Sequence, residues 1–331
     1  MTTNTEKAED RFVKAGRYTG LIRRFWQWEA SGVLFALVVL IVAVSLYTDR
    51  FLTPFNVQVL ARQVSFVGLV ALGQTLVLLI GGIDLSVGAG AGLSGIIGAL
   101  LLTSVGVHPY LVIPCTMVFG MLLGMINGGL IAGLRLNPFI VTLATWEIIA
   151  GMTLVITKGY PINPLGETFS IFGKGEILGV PLPVIIYVVI GGLLIWMLTQ
   201  TRFGRNIFAV GGNREAAILA GIRVRRVELI VYGLAGMLAS LAGILYASRL
   251  NAAQPSVGEG WLIGAITAAI LGGTSLRGGQ GSIVGTMLGA LLLVVLSNAI
   301  GLANVNAYWQ RVIVGFVVLL AVLIDLFRKR D

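Results

Sequence analysis

Residues 182–201 read LPVIIYVVIGGLLIWMLTQT, a run of twenty residues without a charged side chain. A helix of about 20 mostly apolar residues crosses the ~30 Å hydrocarbon layer of a bilayer, so this run predicts a membrane-spanning helix. Nine similar runs occur elsewhere; the short or glycine-interrupted ones, 87–104 and 261–276, we expect to be tilted, broken or only partly membrane-crossing. The ten predicted spans are 31–48, 56–80, 87–104, 110–133, 138–157, 182–201, 227–249, 261–276, 282–303 and 308–327.

The composition agrees with an all-α polytopic membrane protein. Hydrophobic residues make up 57% of the 331 positions and charged residues 11%, against about 25% charged residues in an average soluble domain. The net charge of +9 could indicate a nucleic-acid-binding protein. The basic residues, however, lie in the loops and tails that border the apolar runs, which argues against that class.

The orientation follows from the basic residues, because Lys and Arg concentrate in cytoplasmic loops. Placing the N-terminus in the cytoplasm puts most of the 23 Lys and Arg residues on the cytoplasmic side. Both termini are then cytoplasmic, which requires an even number of spans. We therefore divide the chain into a cytoplasmic segment (1–30), a transmembrane domain (31–327) and a cytoplasmic tail (328–331).

Polar residues within the apolar runs are candidates for a translocation pathway. A charged residue at the bilayer centre costs about 2.5–3.5 kcal/mol on insertion scales. Asp84 follows Gly82 at a break between spans, where it either shapes the pathway or caps the next helix together with Ser86. Glu147 lies midway along 138–157 and either lines an aqueous cavity or pairs with another helix. The same two interpretations apply to the uncharged candidates, and hydrogen bonding between helices is favoured for each of them: Gln74, Asn127 and Asn298.

Glycine makes two patterns. Glycines at every fourth position put a flat packing face on one helix side, as in Gly120, Gly124 and Gly128 and in Gly281, Gly285 and Gly289. In addition, residues 81–90 partly match residues 272–281 at an offset of 191. Transporters often contain internal repeats with glycine interruptions near the pathway; chance similarity between glycine-rich segments is the alternative.

The basic loop 202–226 predicts a docking element. Asn213 is suited to cap a short helix, and Glu215 falls in its first turn, where an acid is favourable. Ala216 and Ala217 give a small, compact face, and Gly221 is suited to end the helix. A short cytoplasmic helix of this kind fits a soluble partner; an ordinary basic loop at the membrane edge is the alternative.

Several of these stretches resemble a known family. Glu215-Ala216-Ala217, three residues and then Gly221 resemble the EAA-type coupling motif of ABC importer permeases, without the Leu-Pro pair that ends the longer motif. Residues 81–88 (GGIDLSVG), 209–213 (AVGGN) and 271–281 (LGGTSLRGGQG) resemble the ribose-type sugar permeases. The resemblance runs from about residue 50 to the C-terminus.

The resemblance implies a ten-helix, vitamin-B12-importer-like (type II) fold in a bacterial inner membrane. It also implies a second permease subunit, a cytoplasmic ATPase, commonly with two cassettes in one chain, and a periplasmic or lipid-anchored sugar-binding protein. On this basis the residues that meet the ATPase are Arg205, Asn213, Glu215, Ala216, Ala217 and Gly221.

No cofactor, metal or catalytic residue is predicted for the chain itself. It has no phosphate-binding Gly-x-x-x-x-Gly-Lys-Ser/Thr loop, so ATP belongs to the partner subunit. One histidine, His108, and one cysteine, Cys115, do not suggest a metal site. Two alternatives stay open: an ABC permease for branched-chain amino acids or nucleosides, and a secondary sugar transporter that uses Asp84 and Glu147, against which the EAA-like loop argues. A membrane-embedded enzyme would need convergent His, Cys or paired acidic residues, and the sequence offers none.

Overall fold

A computed structural model describes residues 31–303 and, beyond them, residues 305, 306, 309, 312, 313, 315, 316 and 319. The segment 1–30, most of the predicted tenth span and the tail 328–331 lie outside the described residues. Twelve helices and one two-stranded hairpin are described: α1 (Ser31–Tyr47), α2 (Pro54–Leu79), α3 (Val87–Thr103), α4 (Pro109–Leu134), α5 (Pro138–Thr157), α6 (Glu167–Lys174), β1 (Glu176–Ile177), β2 (Val180–Pro181), α7 (Leu182–Gln200), α8 (Arg202–Gly212), α9 (Arg214–Leu219), α10 (Val224–Leu250), α11 (Trp261–Leu271) and α12 (Ile283–Leu302).

The helical, polytopic character predicted from the sequence is confirmed. Each predicted span between residues 31 and 303 coincides with a helix, mostly within three residues at either end. Six of these helices, namely α2, α4, α5, α7, α10 and α12, are long and apolar enough to cross a membrane. The two runs expected to be short or broken are α3, with 17 residues, and α11, with 11.

Two long antiparallel helices, α2 and α10, form the centre of the molecule. A Cβ atom on Gly73 of α2 would lie 3.0 Å from the Cα of Ala235 on α10. Nearer the start of α2, the ring of Phe66 meets Tyr246 edge-on, with 5.2 Å between the centroids. From Val64 onward α2 is almost completely buried, whereas only a minority of the residues of α4, α5 and α7 are buried.

The glycine face predicted on α4 packs against α10. A Cβ on Gly120 or Gly124 would overlap main-chain atoms of α10, and one on Gly128 would lie 2.9 Å from the Cα of Leu229. Gly285 and Gly289 of α12 approach the main chain of α11 equally closely, while Gly281 precedes α12 and packs against Thr274. The small residues therefore allow close contact between helix backbones.

The two short helices begin against each other. A Cβ on Gly88, in the first turn of α3, would overlap the carbonyl oxygen of Gly258 and lie 3.7 Å from the Cβ of Leu262 in α11. Each helix follows a long central helix and a non-helical segment, 80–86 before α3 and 251–260 before α11. The buried start of α3 therefore packs against the segment that leads into α11.

Three elements were not predicted from the sequence. α6 and the β1–β2 hairpin lie near the C-terminal end of α10: the Gly173 nitrogen donates to the Ser248 hydroxyl at 2.8 Å, and Arg62 of α2 forms a 2.6 Å ion pair with Glu176. α8 lies at the other end of α10. Thr201 caps α8 by accepting from the Gly204 nitrogen at 3.1 Å, and its buried residues Ile207 and Val210 are one helical turn apart.

Candidate functional site

The loop predicted to dock a partner folds into two consecutive helices, α8 and α9, which we call the coupling unit (residues 202–219). The Asn213 side chain caps α9 by accepting from the Ala216 nitrogen at 2.9 Å, and Glu215 lies exposed in its first turn. The helix ends as predicted before Gly221, whose φ of +80° suits glycine. The Gly221 nitrogen donates to the Ile218 carbonyl oxygen, and the Ile222 nitrogen donates to the Ala217 carbonyl oxygen. These two hydrogen bonds form the Schellman pattern.

α9 is attached to the bundle on one side and exposed on the other. Ala217 is buried, and the Arg214 guanidinium donates to both carboxylate oxygens of Glu228 on α10, at 2.9 and 3.3 Å. This hydrogen bond raises the pKa of Arg214 above its ordinary value. On the opposite side, Ala216 and Leu219 are exposed, the latter at 89% of its surface. Arg205 of α8 is exposed as well.

The C-terminal end of α8 enters a contact made almost entirely of main chain, which we call the glycine junction (Leu79, Gly81, Gly211, Gly278 and Gly279). The Gly279 nitrogen donates to the Leu79 carbonyl oxygen at 2.9 Å. A Cβ on Gly211 would overlap that same oxygen, and one on Gly278 would lie 2.7 Å from the Gly81 nitrogen. The three family-like motifs, distant in sequence, therefore converge at one end of the bundle.

The two segments of the partial repeat share one structural feature, a helix-ending turn, although a turn of the same kind also ends α9. α2 and α11 both end in a Schellman turn, in which a left-handed glycine and the residue after it donate back to carbonyl oxygens of the helix. That glycine is Gly81 after α2 and Gly273 after α11. The matching turns are thus 192 residues apart rather than 191, and the following helices begin after linkers of unequal length.

Asp84 lies in the non-helical segment that follows this junction and is 1% exposed. Its Oδ1 atom accepts from the nitrogen of Ser86 at 2.9 Å and from the Ser86 hydroxyl at 2.6 Å. The Asn127 side chain on α4 donates to the Ser86 oxygen at 2.8 Å. The carboxylate therefore fixes the turn that leads into α3, but the predicted cap is not formed: Ser86 is the N-cap residue of α3, and its side chain makes no capping hydrogen bond.

Gln74 holds the main chain of the same residue. The amide orientation that pairs donors with acceptors places the Gln74 nitrogen 3.1 Å from the Asp84 carbonyl oxygen and the Gln74 oxygen 3.3 Å from the Asp84 nitrogen. The Tyr232 hydroxyl on α10 donates to the neighbouring Ile83 carbonyl at 3.3 Å. Three predicted pathway residues, Gln74, Asp84 and Asn127, are thus brought together in one buried polar network.

The other two predicted pathway residues lie elsewhere. Asn298 on α12 exchanges hydrogen bonds with Asn56 at 2.8 and 3.1 Å, the hydrogen bonding between helices that the sequence favoured. Glu147 is exposed midway along α5. Sequence reasoning missed Tyr232 and the Arg214–Glu228 pair, because nothing in the sequence indicates which distant polar residues will meet. Among the described residues, no cluster of three or more His, Cys, Asp or Glu side chains suits a metal ion.

Residues 56–322, most of the chain and all of the site, match a family model described as branched-chain amino acid transport system / permease component. The chain belongs to this permease family. Among its relatives is the ribose import permease protein of Bacillus subtilis strain 168, 47% identical over 91% of this chain and 93% of the relative. The ribose import permease protein of Escherichia coli strain K12 is 41% identical over 98% of this chain and 99% of the relative. The D-allose transport system permease protein of the same strain is 37% identical over 90% of this chain and 92% of the relative.

Proposed function

We propose that this permease is the membrane channel subunit of an ATP-driven ABC importer for a monosaccharide, with a ribose-like pentose or a hexose as substrate. The observation that carries the substrate class is the identity of 41–47% with ribose import permeases over more than nine-tenths of the chain. The family description names branched-chain amino acids, which keeps that class, with nucleosides, as the alternative substrates. The relatives named for allose and L-arabinose favour sugars.

The coupling unit supports an ATPase partner. α9 has a fixed side, held by Ala217 and the Arg214–Glu228 pair, and a free side with the large apolar side chain Leu219. An exposed leucine on a rigid, capped helix is suited to enter a groove on a soluble protein. The chain has no nucleotide-binding loop of its own, so ATP and its hydrolysis belong to that partner, a cytoplasmic ATPase of the tandem-cassette type. The chain itself is a non-enzymatic subunit without a cofactor.

The translocation pathway in this proposal passes the start of α3 and the exposed side of α5. Asp84, Gln74 and Asn127 hold the break that precedes α3, and the start of α3 packs against Gly258, just before α11. Glu147 is exposed at the middle of α5, where facing lipid would cost about 2.5–3.5 kcal/mol on insertion scales. We therefore place this side of α5 against a second permease subunit or the water-filled pathway between the two.

The proposal includes a multi-pass location in a bacterial inner membrane, ten spans and cytoplasmic termini. A periplasmic or lipid-anchored sugar-binding protein would deliver the substrate and select it. Since the α6 and β1–β2 elements lie at the opposite end of α10 from the coupling unit, they fall on the outer side in this orientation.

Reconstitution tests the proposal directly. Proteoliposomes that contain the permease and its ATPase, with ATP enclosed and the binding protein outside, should accumulate labelled ribose. Arabinose, allose and leucine are compared under the same conditions. Uptake that proceeds equally without ATP would indicate a secondary transporter, and uptake of leucine in preference to every sugar would indicate the amino-acid branch.

A further inference from the structure

The glycine junction connects the coupling unit to both helix ends that surround the predicted pathway. Gly211 is the second-last residue of α8, and it touches Leu79, the last residue of α2. The Leu79 oxygen already accepts from Gly279, which lies in the turn between α11 and α12. One residue of the coupling unit therefore contacts both the end of α2 and the turn between α11 and α12.

The contact leaves no room for a side chain. A Cβ on Gly211 would overlap the Leu79 oxygen and lie 2.6 Å from the Gly279 nitrogen. A Cβ on Gly279 would lie 2.8 Å from the Cα of Gly212, and Gly278 approaches the Gly81 nitrogen in the same way. Main-chain atoms in direct contact, without flexible side chains between them, transmit a displacement with little slack because close-packed atoms have low compressibility.

The junction is also close to the buried polar network. Leu79 is five residues before Asp84, and Gly82 lies beneath the Tyr232 hydroxyl, which binds the Ile83 carbonyl. A shift of Leu79 must consequently change the position of residues 80–86 or break their hydrogen bonds. The path from α9 to the start of α3 is thus continuous: α9, α8, Gly211, Leu79, Asp84.

We infer that the glycine junction is the mechanical link through which movement of the coupling unit is passed to the ends of α2 and α11, and that it stays closed throughout the transport cycle. The inference rests on the proposed function, since it concerns how ATPase movement reaches the pathway. Gly211 acts in it as a positioning residue that contacts neither sugar nor ATP.

The neighbouring glycine provides a matched control. Gly212 belongs to the same helix, and a Cβ at this position would have no atom within 4 Å. In the reconstituted transporter, Gly211→Ala should leave co-purification of the ATPase and ATP hydrolysis in place, while sugar transported per ATP falls about tenfold or more. Gly212→Ala should match the unmodified transporter. Normal uptake per ATP with Gly211→Ala, or an equal loss with Gly212→Ala, would overturn the inference.

A chemical cross-link tests the role of the glycine junction without altering Gly211. It can be used even if the Gly211→Ala variant does not assemble. Cys115, the single native thiol, is replaced by serine, and Gly212→Cys is combined with Gln280→Cys, next to Gly279. A short thiol-reactive linker between them should leave ATP-driven uptake unchanged, with cross-linked peptides measured by mass spectrometry. Loss of uptake that cleavage of the linker restores would mean that the junction opens. Absence of ATP-driven uptake by the unmodified transporter would instead contradict the proposed function.

Discussion

Arg214 and Glu228 form a two-contact ion pair that ties the coupling unit to α10, and its two sides differ in exposure. The Arg214 side chain is 40% exposed and that of Glu228 only 10%. Water can therefore compensate the loss of Glu228 better than the loss of Arg214, because a buried acid without its partner keeps its desolvation cost.

This asymmetry predicts unequal effects of neutral substitutions. Arg214→Gln should destabilise the protein by about 1–3 kcal/mol, and Glu228→Gln by less. The double variant should recover part of the loss caused by Arg214→Gln, since the buried charge is gone. Thermal unfolding of the purified permease in detergent measures all three, and a larger loss with Glu228→Gln would contradict this account of the pair.

The exposed side of α9 predicts where the ATPase binds. Leu219→Asp should weaken ATPase co-purification more than tenfold, since burying one leucine contributes about 1.5–3 kcal/mol. Leu178→Asp in the hairpin is the matched control, because Leu178 is 99% exposed at the other end of the bundle. If Leu219→Asp and Leu178→Asp bind the ATPase equally well, α9 is not the docking site.

Ala216→Glu is a second test of the same surface. Ala216 is exposed and lies within α9, so a glutamate there changes the docking face without disturbing the bundle. Gly221→Glu is less suitable: nothing lies within 4 Å of the added Cβ, but the φ of +80° would strain any other residue. Undiminished ATPase binding by Ala216→Glu would place the docking surface outside α9.

Two substitutions of Asp84 separate the effect of the turn that its side chain holds from the effect of its negative charge. Asp84→Asn retains an oxygen that can accept from the Ser86 nitrogen and hydroxyl, whereas Asp84→Ala leaves these buried donors unpaired at a cost of about 1–3 kcal/mol. We expect Asp84→Ala to lower sugar uptake strongly with the ATPase still bound, and Asp84→Asn to keep most of the uptake. If Asp84→Asn is the more damaged variant, the negative charge rather than the turn is required.

Cysteine labelling tests the membrane orientation, in a permease whose native Cys115 is replaced by serine. Glu215→Cys should react only with reagents that reach the cytoplasm, and Ile177→Cys in the hairpin only with external ones. Both positions are exposed, and Glu215 is preferable to Asn213 because the Asn213 side chain caps α9. The reversed pattern would overturn the orientation and with it the role of the coupling unit.

The contact between α4 and α10 predicts a difference between two glycines of one helix. Gly124→Ala would press a methyl group onto the Tyr232 carbonyl oxygen, and overpacking of this kind costs about 1–3 kcal/mol. Gly133 has open space around it, so Gly133→Ala should be neutral or slightly stabilising through its helix propensity. Unfolding temperatures in detergent should separate the two, and equal values would argue against close packing here.

The helices themselves could be predicted because their causes are local. An apolar run of the right length must form a helix in a bilayer, where every main-chain group needs a partner within its own segment. The two ends of α9 follow in the same way, its start from the cap Asn213 and its end from the left-handed Gly221. The short helices α3 and α11 were visible as interrupted runs. α6 and α8 were missed, although Thr201 and the spacing of Ile207 and Val210 on α8 were local signals.

What the sequence determined by itself was thus the membrane class, the helices that coincide with predicted spans within the described residues, the short capped helix α9 and the glycine faces, because each depends on neighbours within a few residues. Only the tertiary structure decided which polar residues meet. Gln74, Asp84 and Asn127 share one network, Asn298 pairs with Asn56, and Glu147 is left exposed on α5. It also brought Gly211 against Leu79 and Gly279. These contacts join residues tens to hundreds of positions apart, and their geometry is set by how whole helices pack rather than by any local pattern.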